Sequence, residues 1–262
     1  MNRYNGTDFY VFRPVKGDKN SLYNNNIGTI CGDKQGHIYI RCKYAVVEYD
    51  IKKNTFHTIR DNDIQAITYD NARLWVCTRD SLFTYNRVED RLDYYYNLEG
   101  VRMSCVTEDS AGNLYVGTMN NGLYMIDHNK KWLNYFPKKD ITCIYEDSKK
   151  SIWVGTKDDG LFRLDRNGGI TNYGTAPHQN MLSSSYVRCV VEDNLGNYWI
   201  GTFKGLDKLD VTTGTFTHYS KDNKPYSLSN SSIICMMKDR QGTFWIGTYY
   251  GGGNLFLSLI HI

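Results

Sequence analysis

The sequence predicts an all-β fold, a β-propeller built from four-stranded antiparallel blades. A tetrapeptide of the type Trp-Ile-Gly-Thr recurs six times, and its third position falls at residues 41, 77, 117, 155, 201 and 247, which are 36 to 46 residues apart. Short alternating apolar runs surround each copy, and no segment sustains the apolar spacing of an amphipathic helix. Four short strands repeated roughly every 40 residues favour propeller blades, because one such sheet cannot cover both of its faces.

The clearest repeat shows how each blade is built. Residues 187–191 and 198–202 are alternating runs joined by the turn Glu192-Asp193-Asn194-Leu195-Gly196-Asn197, whose Asp, Asn and Gly residues favour a hairpin. A third run, 206–210, and a fourth, 215–219, follow after a turn at 211–214. The pattern therefore predicts four antiparallel strands for residues 187–219.

The repeats fill nearly the whole chain. Residues 1–12 match only a third and a fourth strand, and a polar loop at 13–26 follows. The predicted repeats are 27–59, 63–96, 101–136, 141–173, 187–219 and 233–256. We therefore expect repeats truncated at both ends, amounting to about six blades of a seven-bladed propeller. Residues 257–262 break the pattern and resemble one reading frame of a sequencing adapter, so we expect a non-native tail there.

Residues that recur in every repeat are interpreted as scaffold. The recurring ring is expected to fill the gap between adjacent sheets (Tyr39, Trp75, Tyr115, Trp153, Trp199, Trp245). The glycine two positions after the ring, present in the last four repeats, is expected to allow close approach of a neighbouring backbone or ring. Asp193 and its equivalents are expected to bond the turn backbone. Four of the seven cysteines share one place on the first strand and predict buried free thiols (Cys105, Cys143, Cys189, Cys235). The segments 174–185 and 220–232 are predicted to lie outside the blade core, as insertions or recognition loops.

Composition disfavours several function classes. The formal net charge is +3, from 31 basic and 28 acidic residues without a long single-sign run, so no nucleic-acid footprint is evident. No apolar stretch approaches the length of about 20 residues that crosses a bilayer. The six histidines are scattered and form no metal or cofactor motif, and no catalytic motif is recognisable. An enzyme of the propeller lyase or hydrolase type is therefore the least favoured reading.

Loops that differ between repeats are the candidate ligand site. In a propeller, the loops from second to third strands share one face with the loops between blades, and ligands often bind at such a mouth. Planar polar groups and exposed aromatic rings suit a sugar, although ordinary solvated loops would look similar. We single out Tyr249, Tyr250, Phe203 and Arg79. The full candidate set is Arg79, Asn120, Asn121, Lys157, Asp158, His178, Phe203, Lys204, Tyr249 and Tyr250.

The repeat resembles the two-component regulator propeller repeat. The resemblance is carried by the turn at 192–197, by Trp199-Ile200-Gly201-Thr202, by Gly205-Leu206 and by Phe216-Thr217-His218-Tyr219, and it extends over residues 1–256. Arg41, Cys42 and Cys77 depart from the pattern in the early repeats.

This resemblance implies the periplasmic sensor region of a Bacteroides-type hybrid two-component histidine kinase. It implies an oligosaccharide ligand, control of polysaccharide-utilisation genes, a homodimer formed through the full-length sensor, and membrane attachment only through segments outside this chain. A protein-interaction or dimerisation scaffold without a small ligand is the alternative.

Overall fold

The computed structural model describes residues 1–174, 180–224 and 227–256. The regular secondary structure of these residues consists of β-strands alone. The predicted all-β class is therefore confirmed. Two short strands come first, as expected for residues 1–12: β1 (Asn2–Tyr4) and β2 (Phe9–Val11).

Five four-stranded sheets and one three-stranded sheet follow in the described residues. The first three repeats comprise β3 (Ile27–Gly32), β4 (His37–Cys42), β5 (Ala45–Asp50) and β6 (Thr55–Arg60); β7 (Ala66–Asp70), β8 (Arg73–Cys77), β9 (Ser81–Asn86) and β10 (Arg91–Asn97); and β11 (Met103–Glu108), β12 (Leu114–Thr118), β13 (Leu123–Ile126) and β14 (Trp132–Tyr135).

The last three repeats are equally regular. They comprise β15 (Ile141–Glu146), β16 (Ile152–Thr156), β17 (Leu161–Leu164) and β18 (Ile170–Tyr173); β19 (Val187–Glu192), β20 (Tyr198–Thr202), β21 (Leu206–Asp210) and β22 (Thr215–Tyr219); and β23 (Ile233–Lys238), β24 (Phe244–Thr248) and β25 (Gly252–Phe256). Within each sheet, strands that are consecutive in sequence are neighbours.

The chain divides into two compact units. The first contains Met1–Val116 and Tyr124–Leu133, and the second contains Gly117–Leu123 and Asn134–Ile262. In the first unit, one core cluster joins Tyr39 of β4 to Ile67 and Leu74 of the next repeat, and another joins Trp75 to Val106 and Leu114. The core of this unit therefore lies between successive sheets.

The second unit is packed in the same way. Trp153 lies in a cluster with Val190 and Tyr198 of the next sheet, and Trp199 lies with Phe244 and Ile246. Trp75, Trp153 and Trp199 are buried, whereas Trp245 is only half-buried. The expected gap-filling role is confirmed for the three buried rings, because each contacts residues of two sheets.

The turn aspartates bond the backbone as expected. Asp193 Oδ1 accepts the amides of Leu195 at 2.9 Å and Asn197 at 2.8 Å. Its Oδ2 accepts the indole N–H of Trp199 at 3.1 Å, and Asp147 and Asp239 accept Trp153 and Trp245 at 2.8 and 3.0 Å. Each aspartate therefore links its turn to the tryptophan of its own repeat.

The repeated glycine makes room for a sulfur and a side chain, not for a backbone or ring. Cys189 faces Gly201 across β19 and β20, and a Cβ on that glycine would lie 2.5 Å from Cys189 Sγ and 2.6 Å from Ile233 Cγ2. All seven cysteines are free thiols, as predicted. Of the four cysteines expected to be buried, Cys235 is exposed, so the expectation is wrong for that residue. The other three are only partly buried (Cys105, Cys143, Cys189).

The segments between repeats contribute to the core, which corrects the expectation that they lie outside it. Leu182 is 5% exposed and packs with Trp153 and Val187. Leu22, Leu98 and Leu228, from three other inter-repeat segments, also pack in core clusters. The physical reason is that close packing leaves few voids, and at these four places a leucine from the inter-repeat segment packs among the side chains of the strands.

Candidate ligand-binding site

At one edge of the second unit, formed by the ends of its strands, the loops after second strands lie beside the segments between repeats. These are the two kinds of loop expected at a binding face. The amide of Phe203, just after β20, donates to the carbonyl of Tyr186, just before β19, at 3.0 Å. The amide of Tyr249 donates to the carbonyl of Ser232 at 2.9 Å. Antiparallel pairing therefore places the loops after second strands beside the segments that enter first strands.

A cluster of aromatic rings surrounds one arginine at this edge. The rings of Tyr186 and Phe203 are nearly parallel, with centroids 6.1 Å apart and an interplanar angle of 13°. The guanidinium carbon of Arg188 lies 4.6 Å from the Tyr186 centroid and 5.1 Å from the Phe203 centroid. We name the set formed by Tyr186, Arg188, Phe203, Tyr249 and Tyr250 the Arg188 platform.

Hydrogen bonds hold the arginine in place. Arg188 Nη1 donates to Ser232 Oγ at 2.9 Å and to the Ile233 carbonyl at 3.1 Å. Both acceptors belong to the start of the next repeat, so the arginine links two neighbouring sheets of the second unit. Its position is therefore defined by two hydrogen bonds and two ring contacts.

Two tyrosines complete the platform. The rings of Tyr249 and Tyr250 lie edge to face with centroids 4.3 Å apart, and both are exposed. A hydrogen bond with Tyr250 raises the pKa of the Tyr249 hydroxyl, and the charge of Arg188 opposes that rise, which places this hydroxyl within the field of the guanidinium. Phe203 is also half exposed, so the platform presents ring faces and hydroxyl groups to solvent.

The other predicted residues of the second unit lie in neighbouring loops. The Asn120 amide donates to Asp140 Oδ1 at 2.6 Å, and Asn134 Nδ2 donates to the Asn121 carbonyl at 2.9 Å. Lys157 Nζ lies 3.8 Å from Asp140 Oδ2. Asp158 and Lys204 are exposed. Asn120, Asn121 and Lys157 therefore contact neighbouring segments of the same unit.

Arg79 belongs to the first compact unit. It is exposed, its amide donates to Asp63 Oδ2 at 3.3 Å, and its carbonyl accepts the Met103 amide at 2.9 Å. It therefore occupies the expected kind of loop. His178, the remaining predicted residue, lies outside the described residues.

Sequence reasoning missed Tyr186 and Arg188. Arg188 occupies the second position of a first strand, where the neighbouring repeats carry Thr142 and Ile234. The available signal was that this position carries an uncharged residue in the other repeats and an arginine only here. It was hidden because strand positions had been assigned to the scaffold and only loops were considered for recognition.

A serine, an aspartate and a histidine also meet in the second unit, but their order does not suit nucleophilic catalysis. Asp207 is fully buried and accepts Ser183 Oγ at 2.9 Å and His218 Nδ1 at 2.8 Å. The carboxylate therefore lies between the other two groups, whereas a nucleophilic serine needs the imidazole beside it. The next repeat uses Ser229 and Asn254 in the same way, with Asn254 Nδ2 donating to Ser229 Oγ at 2.9 Å. A contact made in two repeats indicates that it anchors the loop.

A cavity of about 640 Å³ lies next to this anchor. Its walls include Trp199, Leu206, Ile246 and Asn254, which occupy repeated scaffold positions, together with Asp222 and Lys224. Because strand residues of two neighbouring sheets line it together with the segment between them, we interpret the cavity as a gap in blade packing. Within residues 1–174, 180–224 and 227–256, no group of three His, Cys, Asp or Glu side chains could hold a metal ion. The same residues contain no helix able to span a membrane.

One family model matches three segments of the chain. The model of the two-component regulator propeller family matches residues 135–158, 181–204 and 227–250. No curated protein matches the chain. The matched segments include Tyr186, Arg188, Phe203 and Tyr249 of the Arg188 platform.

Several solved structures share the fold. The extracellular domain of BT3049 from B. thetaiotaomicron, described as part of a hybrid two-component system, superposes with a TM-score of 0.82 at 26% identity, over 97% of this chain and 36% of that one. The extracellular domain of BT4673 from the same organism, described as a one-component system, gives 0.77 at 21% identity over 98% and 36%. This chain thus spans about a third of the length of these domains.

An enzyme also shares the fold. The virginiamycin B lyase of Staphylococcus aureus, solved in a catalytically inactive form with quinupristin, gives a TM-score of 0.71 at 14% identity over 90% of this chain and 83% of that one. At this identity the likeness concerns the fold alone. Together the similarities confirm the predicted β-propeller.

Proposed function

Because this chain carries the repeats of the two-component regulator propeller family, we propose that it is part of the ligand-sensing region of a hybrid two-component sensor kinase. In this proposal the region is periplasmic, its ligand is a glycan oligosaccharide, and binding controls the transcription of polysaccharide-utilisation genes. Support for an extracytoplasmic place comes from the similar domains of B. thetaiotaomicron, which are described as extracellular.

The Arg188 platform is the observation that carries the proposal of a sugar ligand. A sugar ring has an apolar face that stacks on aromatic side chains and hydroxyl groups that need hydrogen-bond partners. Phe203, Tyr249 and Tyr250 supply exposed rings at one edge, and the two tyrosines and Arg188 supply polar groups. Exposed rings in loops that vary between repeats are also more readily explained by recognition than by packing.

Signal transmission is the second part of the proposal. A propeller without a kinase of its own signals only by changing its contacts with other parts of the protein. We therefore propose that the full-length sensor is a homodimer and that ligand binding changes the association of its sensor regions. The membrane is reached through other segments of the full-length protein, and nucleic acid is not a ligand of this region.

Calorimetry of the complete extracytoplasmic region against a panel of glycan oligosaccharides tests the proposal. We expect at least one oligosaccharide to bind without being cleaved. Substituting Phe203, Tyr249 and Tyr250 together by alanine should weaken that binding by about 100-fold, since each lost stacking contact is worth roughly 1 kcal/mol. Tyr94→Ala, which removes an exposed ring from β10, is the matched control and should leave affinity unchanged.

The other outcomes point elsewhere. Cleavage of a bound oligosaccharide would favour a propeller lyase or hydrolase. Dimerisation of the region without affinity for any sugar would favour an interaction scaffold. Unchanged binding by the triple variant would show that a sugar is recognised at another surface.

A further inference from the structure

We propose that the Arg188 platform selects acidic oligosaccharides, which carry a carboxylate or sulfate group, over neutral ones of the same size. This inference rests on the proposed function and adds the chemical class of the ligand. The acidic group would pair with Arg188 while a sugar ring stacks on Phe203. Three features of the platform carry the inference: its charge, the state of the guanidinium, and the occurrence of the arginine in a single repeat.

The segments that form the platform contain cations and no acid. Residues 180–188, 203–205 and 249–252 include Arg188 and Lys204 but neither aspartate nor glutamate. Neutral sugars are usually held by side chains that both accept and donate, and a carboxylate is the strongest acceptor available to a protein. Segments that supply donors and no carboxylate are instead complementary to an anion.

Arg188 keeps its charge available. Within the described residues it donates hydrogen bonds only from Nη1, to a hydroxyl and a carbonyl, and no carboxylate pairs with it. The contrast is Arg87, which donates Nε and Nη2 to the carboxylate of Glu48 at 3.1 Å each. Stacking between the Tyr186 and Phe203 rings orients the Arg188 guanidinium but does not neutralise it. A planar cation held in this way is pre-organised for a carboxylate or sulfate.

The arginine is not part of the repeated scaffold. Thr142 occupies the corresponding position in the preceding repeat, where its hydroxyl donates to the Val187 carbonyl at 2.5 Å. Arg188 makes the same link to the Ile233 carbonyl with a longer, charged side chain. A threonine is therefore sufficient for the structural bond between repeats, and the extra charge of the arginine needs another explanation.

Binding of matched sugar pairs to the complete extracytoplasmic region tests the inference. The probes are tetragalacturonate and its fully methyl-esterified form, and N-acetyllactosamine with and without a 6-sulfate. The first pair tests carboxylate recognition and the second tests sulfate recognition, and one member of each pair is neutral. We expect one acidic probe to bind at least about tenfold more tightly than its neutral counterpart, as charge-assisted hydrogen bonds are roughly twice as strong as neutral ones. The preference should shrink as salt is raised.

Variants then assign the preference to the arginine. Arg188→Gln should lower affinity for the acidic sugar at least about tenfold more than affinity for the neutral sugar, so that the preference disappears. Arg188→Lys should retain part of the preference because the charge remains without the planar fork. Arg240→Gln removes an exposed cation from the turn between β23 and β24, at the opposite end of these strands from the platform. It should leave the affinity for every probe unchanged. Thermal unfolding of each variant verifies that it is folded.

The outcomes separate this inference from the proposed function. Equal binding of acidic and neutral probes, or binding of neutral sugars alone, would overturn the acidic preference and leave the sensor proposal standing. Loss of both acidic and neutral binding in Arg188→Gln would make Arg188 a positioning residue. If no oligosaccharide binds the wild-type region, both proposals fail.

Discussion

At the scale of single residues, Cys189 and Gly201 face each other on neighbouring strands, so that a thiol side chain lies opposite a glycine. The fourth and sixth repeats contain the same pair, Cys143 facing Gly155 and Cys235 facing Gly247. The second repeat reverses it, because Ala66 faces Cys77. Each of these facing positions therefore has space for one thiol side chain, and either the first or the second strand can supply it.

This reciprocity predicts the behaviour of a swapped pair. Gly201→Cys should lower the free energy of unfolding by about 2 kcal/mol, because the new side chain overlaps Cys189 Sγ and Ile233. The double variant Cys189→Ala/Gly201→Cys should recover at least half of that loss, since it reproduces the arrangement of Ala66 and Cys77. Urea denaturation measures all three proteins. A double variant as unstable as the single one would contradict the explanation.

At the scale of elements, the hairpin between β7 and β8 has the tightest turn. Asp70 pairs with Arg73, so only Asn71 and Ala72 form the loop. Both have positive φ, 45° and 62°. Two-residue hairpin loops of this kind prefer Asn followed by Gly, because a Cβ is disfavoured in the left-handed region.

Ala72→Gly should therefore stabilise the protein by about 0.5 kcal/mol, because relief of roughly 1 kcal/mol of strain outweighs the freedom that glycine adds to the unfolded chain. Ala111 lies in the longer turn of the next repeat and has no positive φ, so Ala111→Gly is the matched control. It should be destabilising by roughly 0.5 kcal/mol, because glycine only adds freedom to the unfolded chain. Equal effects of the two substitutions in thermal unfolding would refute the assignment of strain to Ala72.

The inter-repeat segments show where reasoning about elements fails. Their sequences are polar and irregular, which is typical of surface loops, yet Leu182 is buried and Ser183 donates to the buried Asp207. A single leucine in a polar segment has no periodicity, so no pattern could reveal its burial. Its partners, Trp153 and Val187, lie on strands of two different sheets.

At the scale of the whole molecule, stability depends on aspartates that repeat along the chain. The indole N–H of Trp245 lowers the pKa of Asp239, and the backbone amides of Lys53 and Thr213 lower the pKa of Asp50 and Asp210. In each case the folded state favours the carboxylate. The unfolded chain therefore binds more protons than the folded one once the pH approaches the ordinary aspartate pKa of 3.8.

The free energy of unfolding should accordingly be constant near neutral pH and fall as the pH drops below about 4.5, through the lowered pKa values of the folded state. Urea denaturation between pH 3 and pH 7 measures this dependence. Asp239→Asn should make the fall smaller, whereas Asp158→Asn, in an exposed loop, should leave its size unchanged. Stability that rose on acidification would be inconsistent with these hydrogen bonds.

The sequence by itself determined the all-β class, the order of the strands and the turns that join them. These features depend on alternation and on turn residues a few positions apart, so local spacing is sufficient to predict them. It also placed Phe203, Tyr249 and Tyr250 correctly in loops at one edge of the sheets.

Only the tertiary structure decided that Arg188 and Tyr186 lie beside Phe203, and that Leu182 belongs to the core. These contacts join residues of different strands and loops, and their distances depend on how neighbouring sheets pack. No pattern within a single repeat contains that information, because packing between sheets is set by side chains that are far apart in the chain.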